Sequence, residues 1–215
     1  MSPIVECVPN FSEGRNLEVI NAIADVIKSV NGVRLLDYSW DFNHNRSVFT
    51  FIGSPEAVKQ AAFESCAKAA ELIDLTKHTG EHPRMGATDV IPFIPVKDIT
   101  VEECVKLSRE LGERIANELS IPVFLYENSA TRPERKNLAD IRKGQFEGMK
   151  EKIKQPEWAP DFGKAEIHST AGAVAVGTRM PLIAYNINLD TSDITIADKI
   201  AKIIRERGGG LKNVR

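Results

Sequence analysis

The sequence predicts an α/β protein of the α+β kind: a ferredoxin-like first subdomain with a mixed sheet and helices, followed by a truncated second subdomain. Three observations carry this. Between Ile4 and Val96 the hydrophobic pattern runs in the order β-α-β-β-α-β, the split βαβ arrangement. The same alternation of strand-like and helical stretches continues to the end of the chain. At 215 residues, 42% of them hydrophobic, the chain is long enough to bury roughly 70% of its unfolded surface without a disulfide or metal staple.

Each element has a local reason. Ile4–Val8 is an apolar, β-branched run ended by Pro9-Asn10, hence a strand. In Asn16–Val30 the apolar residues Val19, Ile20, Ile23, Val26, Ile27 and Val30 share one side of a helix, with Gly32 as its stop. Val33–Trp40 and Arg46–Ile52 read as strands joined by the polar turn Asp41–Asn45, a hairpin. Ser54-Pro55 opens a helix to about Ile73: the serine oxygen can accept a free N–H, and proline at the first position sacrifices none. Asp89–Val96 reads as a strand, and its two prolines predict an edge or irregular one.

Beyond this come a helix over Thr100–Leu119, a buried strand over Ile121–Tyr126 and a more polar amphipathic helix over Leu138–Ile153. Gln155–Lys164, with two prolines and a glycine, is loop. Gly172–Val176 and Leu182–Leu189 read as strands and Ile194–Arg207 as a last helix. The division expected is residues 1–180 and 181–215. The second piece is below the ~40 residues at which a core usually becomes self-sufficient, so it must dock, pair, or be the start of something longer.

Composition excludes several functions. With 28 Lys+Arg against 30 Asp+Glu the formal charge is −2, without the basic excess of a broad nucleic-acid surface. The longest apolar runs fall far short of the ~18 residues of a membrane span, and no signal peptide is read at the start. Cys7, Cys66 and Cys104 are an odd number without close pairing, which predicts reduced thiols and a cytoplasmic location.

The chemistry concentrates in His78–Asp89, where two His, a Glu, an Arg and an Asp share a turn-forming stretch between a helix and a strand. Imidazole takes and gives a proton near neutral pH. Glu81 or Asp89 is placed to orient a ring, and a guanidinium such as Arg84 grips a carboxylate with two hydrogen bonds. His78-Thr-Gly-Glu-His82 also matches H-x-x-E-H, which on a continuous helix holds zinc; Gly80 and Pro83 disfavour that helix, so zinc is the minor reading. The spacing Gly172–Thr178 lacks the lysine of a phosphate loop.

Read as a whole, the chain resembles the formiminotransferase domain family. The resemblance rests on Val5-Glu-Cys-Val-Pro-Asn-Phe-Ser-Glu-Gly14, Asn45-Arg46, Lys77-His-Thr-Gly-Glu-His-Pro-Arg-Met-Gly-Ala-Thr-Asp89, Pro92-Phe-Ile-Pro95, Pro122–Tyr126, Pro160-Asp-Phe-Gly163 and Ala184–Leu189, in the family's order. It implies transfer of the formimino group of N-formimino-L-glutamate to N5 of tetrahydrofolate, in histidine breakdown, with a folate cleft between two subdomains. His82 is then the catalytic acid/base. The stretch Gly163-Lys164-Ala165-Glu166-Ile167-His168-Ser169-Thr170-Ala171-Gly172 falls on the family's folate-binding segment. Both substrates carry glutamate carboxylates, so Arg84 and Arg46, with Asn45 beside it, are expected at the substrate. No metal is required. A homodimer and a cyclodeaminase partner are further expectations. Asn43-His44 departs from the small residues expected there, and the second subdomain stops after one strand and one helix where the family's continues. The rival expectations are an inactive folate-binding subunit and a zinc hydrolase using His78, Glu81 and His82.

Overall fold

The structure, a computed structural model, describes residues 2–183, 187, 189–212 and 214, with the backbone alone for Arg207. The chain divides into two compact units, Met1–Pro181 and Leu182–Arg215.

The first unit is built on one sheet. β1 (Ile4–Cys7) and β2 (Asn10–Phe11) are two halves of one strand interrupted at Val8-Pro9, and both lie between β4 (Arg46–Gly53) and β5 (Thr88–Lys97). β3 (Val33–Asp41) pairs antiparallel with β4, completing the antiparallel four-position core of the ferredoxin-like arrangement. The sheet then extends past β5. β7 (Val174–Thr178) pairs parallel with β5, and β6 (Val123–Glu127) parallel with β7. The order across the sheet is therefore β3, β4, β1/β2, β5, β7, β6.

β5 is central, so of the edge or irregular strand that its prolines predicted it is the irregular one, with register shifts against β1 and β2. Both prolines sit where the ladder is already interrupted. Pro92 faces the Val8-Pro9 break, where Val8 N–H donates to its carbonyl at 3.3 Å. Pro95 pairs with Val5 beside the register shift between Ile4 and Val5, and lies past Phe93, the last residue that pairs with β7. A missing proline N–H costs nothing where no partner carbonyl is waiting.

Three helices pack on one face: α1 (Leu17–Ser29), α2 (Pro55–Leu72) and α3 (Val101–Leu119). Their apolar stripes meet Val5, Cys7, Phe11, Phe49, Phe51, Ile91 and Phe93 in the larger core. α3 starts with reciprocal caps, the Thr100 side chain accepting from Glu103 N–H at 3.1 Å and the Glu103 carboxylate from Thr100 N–H at 2.7 Å, an arrangement worth about 1 kcal/mol. Strand alternation serves a second core on the other face. Val123, Leu125, Val174 and Val176 point to the first core, whereas Phe124, Tyr126, Ala173 and Ala175 point to the second.

That second core is closed by α4 (Leu138–Arg142) and α5 (Gln145–Lys152) through Ile141 and Met149. The single helix expected over Leu138–Ile153 is thus two. Gly144 breaks it, at φ +92°, a conformation glycine adopts without strain. The loop after β6 is held by Arg135, which is fully buried; it bonds the Asp161 carboxylate and the Ala159 carbonyl and lies 5.2 Å from the Phe124 ring centroid. Asp161 also accepts from Leu125 N–H at 2.8 Å, tying the Pro160–Gly163 stretch to β6.

In the second unit α6 (Ile194–Ile204) is capped by Asp193, whose carboxylate accepts from Thr195 N–H at 2.9 Å. A 3₁₀ turn over Glu206–Gly208 replaces the last turn expected to Arg207. The strand expected over Leu182–Leu189 falls on a stretch that includes residues outside the described ones.

Gly86 lies tight against Ala173, the residue before β7. A Cβ there would lie 2.0 Å from the Ala173 carbonyl oxygen and 2.6 Å from that of Thr88. Gly86→Ala is expected to cost about 2 kcal/mol or more of folding free energy, as overpacking does. The readout is the urea midpoint; an unchanged midpoint would show that the backbone there yields freely.

Candidate active site

The segment from Leu75 to Ala87 has no secondary structure of its own, and neighbours on two sides supply its backbone partners. On one side is the β3–β4 turn: Glu81 N–H donates to the Asn43 carbonyl at 3.1 Å and His82 N–H to that of His44 at 3.4 Å. On the other is the stretch His168–Ala173: Leu75 N–H donates to Thr170 O at 2.9 Å, Ala87 N–H to Ala171 O at 2.9 Å, and Ala173 N–H to Met85 O at 3.0 Å. Ser12, next to β2, closes the ring, its hydroxyl donating to Gly86 O at 2.7 Å and its N–H to Ala87 O at 2.9 Å. A polar loop so tied presents its side chains in fixed directions.

His82 is 8% exposed. Its Nε2 is buried, makes no hydrogen bond, and faces Asp89 Oδ2 at 3.5 Å. Asp89, at the start of β5, is enclosed. Oδ1 accepts from Met85 N–H at 2.8 Å, and Oδ2 accepts from the guanidinium of Arg142, the last residue of α4. Burial alone would raise the Asp89 carboxyl, yet the Arg142 charge, the His82 ring and the Met85 N–H together hold it below the usual carboxylate range, so it is ionised. Asp89 was among the sequence candidates and Arg142 was not. The available signal was a charged residue on an otherwise apolar stripe with Leu138, Phe146 and Met149.

Arg84 is 6% exposed, and all five of its N–H donors are engaged within the protein. They reach His78 Nδ1 (3.1 Å), His78 O (3.3 Å), Gln145 Oε1 (2.8 Å) and both Glu147 oxygens (2.9 and 2.7 Å). Asn45 is likewise committed: its Oδ1 accepts from Gly14 N–H at 2.9 Å and its Nδ2 donates to Thr79 O at 2.9 Å. Arg46 differs. It is half-buried and spends one N–H on Asn10 Oδ1 at 3.2 Å, with no other hydrogen bond among the described residues. Burial and the like charge of Arg142 both lower its pKa, although a guanidinium stays charged at any working pH.

His78 accepts from Arg84 at Nδ1 and meets the Asn45 carbonyl at Nε2, 3.0 Å, which fixes the Nε2–H tautomer. Both ring nitrogens are therefore taken, and among the described residues no three His, Cys, Asp or Glu side chains converge as metal ligands. The zinc reading through His78, Glu81 and His82 finds no ligand set.

In the stretch 163–172, Lys164, Ala165, Glu166 and Ser169 are exposed. His168 and Gly172 exchange two backbone hydrogen bonds at 2.9 Å each, so the stretch doubles back and its last residues pack on Met85 and Ala87, three and five residues past His82. Among the described residues no helix is long and apolar enough to cross a membrane.

Residues 4–179 match the family model of the formiminotransferase domain, N-terminal subdomain. The chain is 62% identical over 212 residues to a protein of Streptococcus pyogenes serotype M1 named glutamate formimidoyltransferase, covering 99% of this chain and 71% of that one. It is 51% identical over 214 residues to one of the same name from Thermoplasma acidophilum, covering 70% of it. It is 50% identical over 210 residues to the formimidoyltransferase-cyclodeaminase of Mus musculus, of which it covers 39%.

Burial, the largest cause, and the charge of Arg84 lower the His78 pKa below the ordinary imidazole value. The unfolded chain therefore binds a proton more readily, so His78 contributes stability that is complete above about pH 6.5 and is lost as the pH falls. The parent should outlast His78→Gln in urea at neutral pH by a margin that shrinks on acidification. A margin independent of pH would mean that His78 is not held neutral.

Proposed function

The chain belongs to the formiminotransferase family, and from that premise we propose that it transfers the formimino group of N-formimino-L-glutamate to N5 of tetrahydrofolate, with His82 as acid and base. The single observation that carries the site assignment is His82: a nearly enclosed imidazole backed by an ionised, buried carboxylate, on a loop fixed from both sides.

The reaction exchanges one C–N bond for another. N5 attacks the formimino carbon, and a tetrahedral adduct forms. The N5 proton passes to His82. The same imidazolium then protonates the glutamate nitrogen as its bond to the carbon breaks, leaving 5-formiminotetrahydrofolate and glutamate. One imidazole serves both steps because an imidazole both takes and gives a proton.

Arg46 is the carboxylate clamp of this reading. Its unspent donors and its repulsion from Arg142 both favour an anion settling against it. Arg84 and Asn45 are assigned to holding the His82 loop, since their polar atoms are spent on it and its neighbours. Residues 163–172 take the folate; their last residues pair with Leu75 and Ala87, at the two ends of the His82 loop. The reaction places the chain in histidine breakdown, and the three buried free thiols accord with a reducing cytoplasm.

Turnover is read as formation of 5-formiminotetrahydrofolate. His82→Ala should lower kcat by about 10²–10⁴-fold; full activity in that variant would remove His82 from the chemistry. Arg46→Met should raise KM for formiminoglutamate by about 10-fold or more, the value of one charge-assisted contact, with a smaller effect on kcat. An unchanged KM would place the clamp elsewhere.

A further inference from the structure

We propose that Arg142 is a positioning residue of the transferase: it fixes Asp89 so that Asp89 holds the His82 Nε2–H, leaving Nδ1 as the nitrogen that works on the substrate. The inference rests on the assignment of His82 as acid and base, and specifies which face of its ring is used.

The polar surroundings of the ring are sparse. Nε2 is enclosed, and the polar group facing it is Asp89 Oδ2 at 3.5 Å. A bare nitrogen lone pair aimed at an ionised carboxylate is repelled, whereas an N–H aimed at it is attracted, so the proton of the neutral ring sits on Nε2. Nδ1 makes no hydrogen bond among the described residues and is absent from the enclosed, unpartnered atoms, so it keeps access to the site. The 3.5 Å separation is long, as catalytic contacts are before substrate arrives.

The tautomer depends on Asp89 staying ionised and staying put. Asp89 is fully enclosed, and two groups bind it, Met85 N–H on Oδ1 and Arg142 on Oδ2. Arg142 is the one that carries a full charge. Its own side chain is 15% exposed, and its Nε is enclosed without a partner, so the guanidinium is directed at the carboxylate and not spread over other acceptors. The break at Gly144 then turns the chain so that the next residues grip the other end of the same loop. Phe146 N–H donates to Arg84 O at 2.9 Å, and Gln145 and Glu147 bind the Arg84 guanidinium. The α4–α5 junction thus holds the His82 loop at Arg84 and the carboxylate behind it at Asp89. Arg46, the other cation near Asp89, sends its one bond to Asn10 instead.

The test is ¹⁵N NMR of the His82 ring in the full chain, beside steady-state kinetics. The parent should show a protonated Nε2 and a bare Nδ1 at neutral pH. Arg142→Gln should lose that preference and lower kcat by about 10²-fold, the scale of a misplaced catalytic group, with KM for formiminoglutamate moving far less. Arg142→Lys, which restores the charge, should recover the Nε2–H tautomer and most of kcat. A variant that only loosened the fold would lower stability without moving the tautomer, so the ring signature separates the two, and Arg142→Lys keeps the test alive if Arg142→Gln folds poorly. A parent ring protonated on Nδ1, or a tautomer and kcat indifferent to Arg142, would overturn the proposal. If the tautomer follows Arg142 while His82→Ala keeps its turnover, the coupling stands and the acid/base reading fails instead.

Discussion

The site depends on how a segment without secondary structure obtains its backbone hydrogen bonds. Between Leu75 and Ala87 the chain runs through a partly buried region where unpaired N–H and C=O groups are expensive. It borrows partners from the β3–β4 turn on one side and from His168–Ala173 on the other. These are the hairpin that carries Arg46 and the end of the stretch assigned to folate. The need to satisfy a backbone therefore also brings together His82, the hairpin that carries Arg46 and the end of the stretch assigned to folate.

Charge follows the same logic. Three buried or nearly buried guanidiniums are each matched to a carboxylate: Arg142 to Asp89, Arg84 to Glu147 and Arg135 to Asp161. Breaking such a pair leaves an uncompensated enclosed charge, which costs more than the pair itself contributes. Arg135–Asp161 ties a loop to β6, and Arg84–Glu147 ties the His82 loop to α5. Two of the pairs also stand beside an imidazole: Arg84 donates to His78 Nδ1, whereas Arg142–Asp89 meets the His82 ring through the carboxylate. Arg46, half-buried and mostly unspent, stands apart from all three.

The two-sided sheet makes room for this. Its β5–β7–β6 half is covered on both faces, which permits the continuous apolar runs of those strands. The half formed by β1, β2 and β4 is covered on one face, while Asn10, Arg46, Val48 and Thr50 stay half-exposed on the other. Arg46 can meet a solute because it alternates with core residues along β4 on this uncovered side.

Most of the fold was legible in the sequence. Periodicity alone placed α1, α2, α3 and the first strands, because each buries a stripe whose spacing is local. The candidate segment was legible too, since the residue types of His78–Asp89 single it out, and the family resemblance pointed to the reaction. What the sequence hid were consequences of distant pairing. β5 is irregular, as its prolines argue, yet central and not at an edge, because its partner strand breaks at the matching place. Arg84 and Asn45 look like ligands for substrate in one dimension, yet in three their polar atoms are spent on partners such as Glu147 and Gly14 that lie far along the chain. Arg142 is 53 residues from Asp89, on a helix that reads as surface. Local spacing determines which residues a chain presents together; which of their donors remain unspent is decided only when the tertiary fold has satisfied the rest.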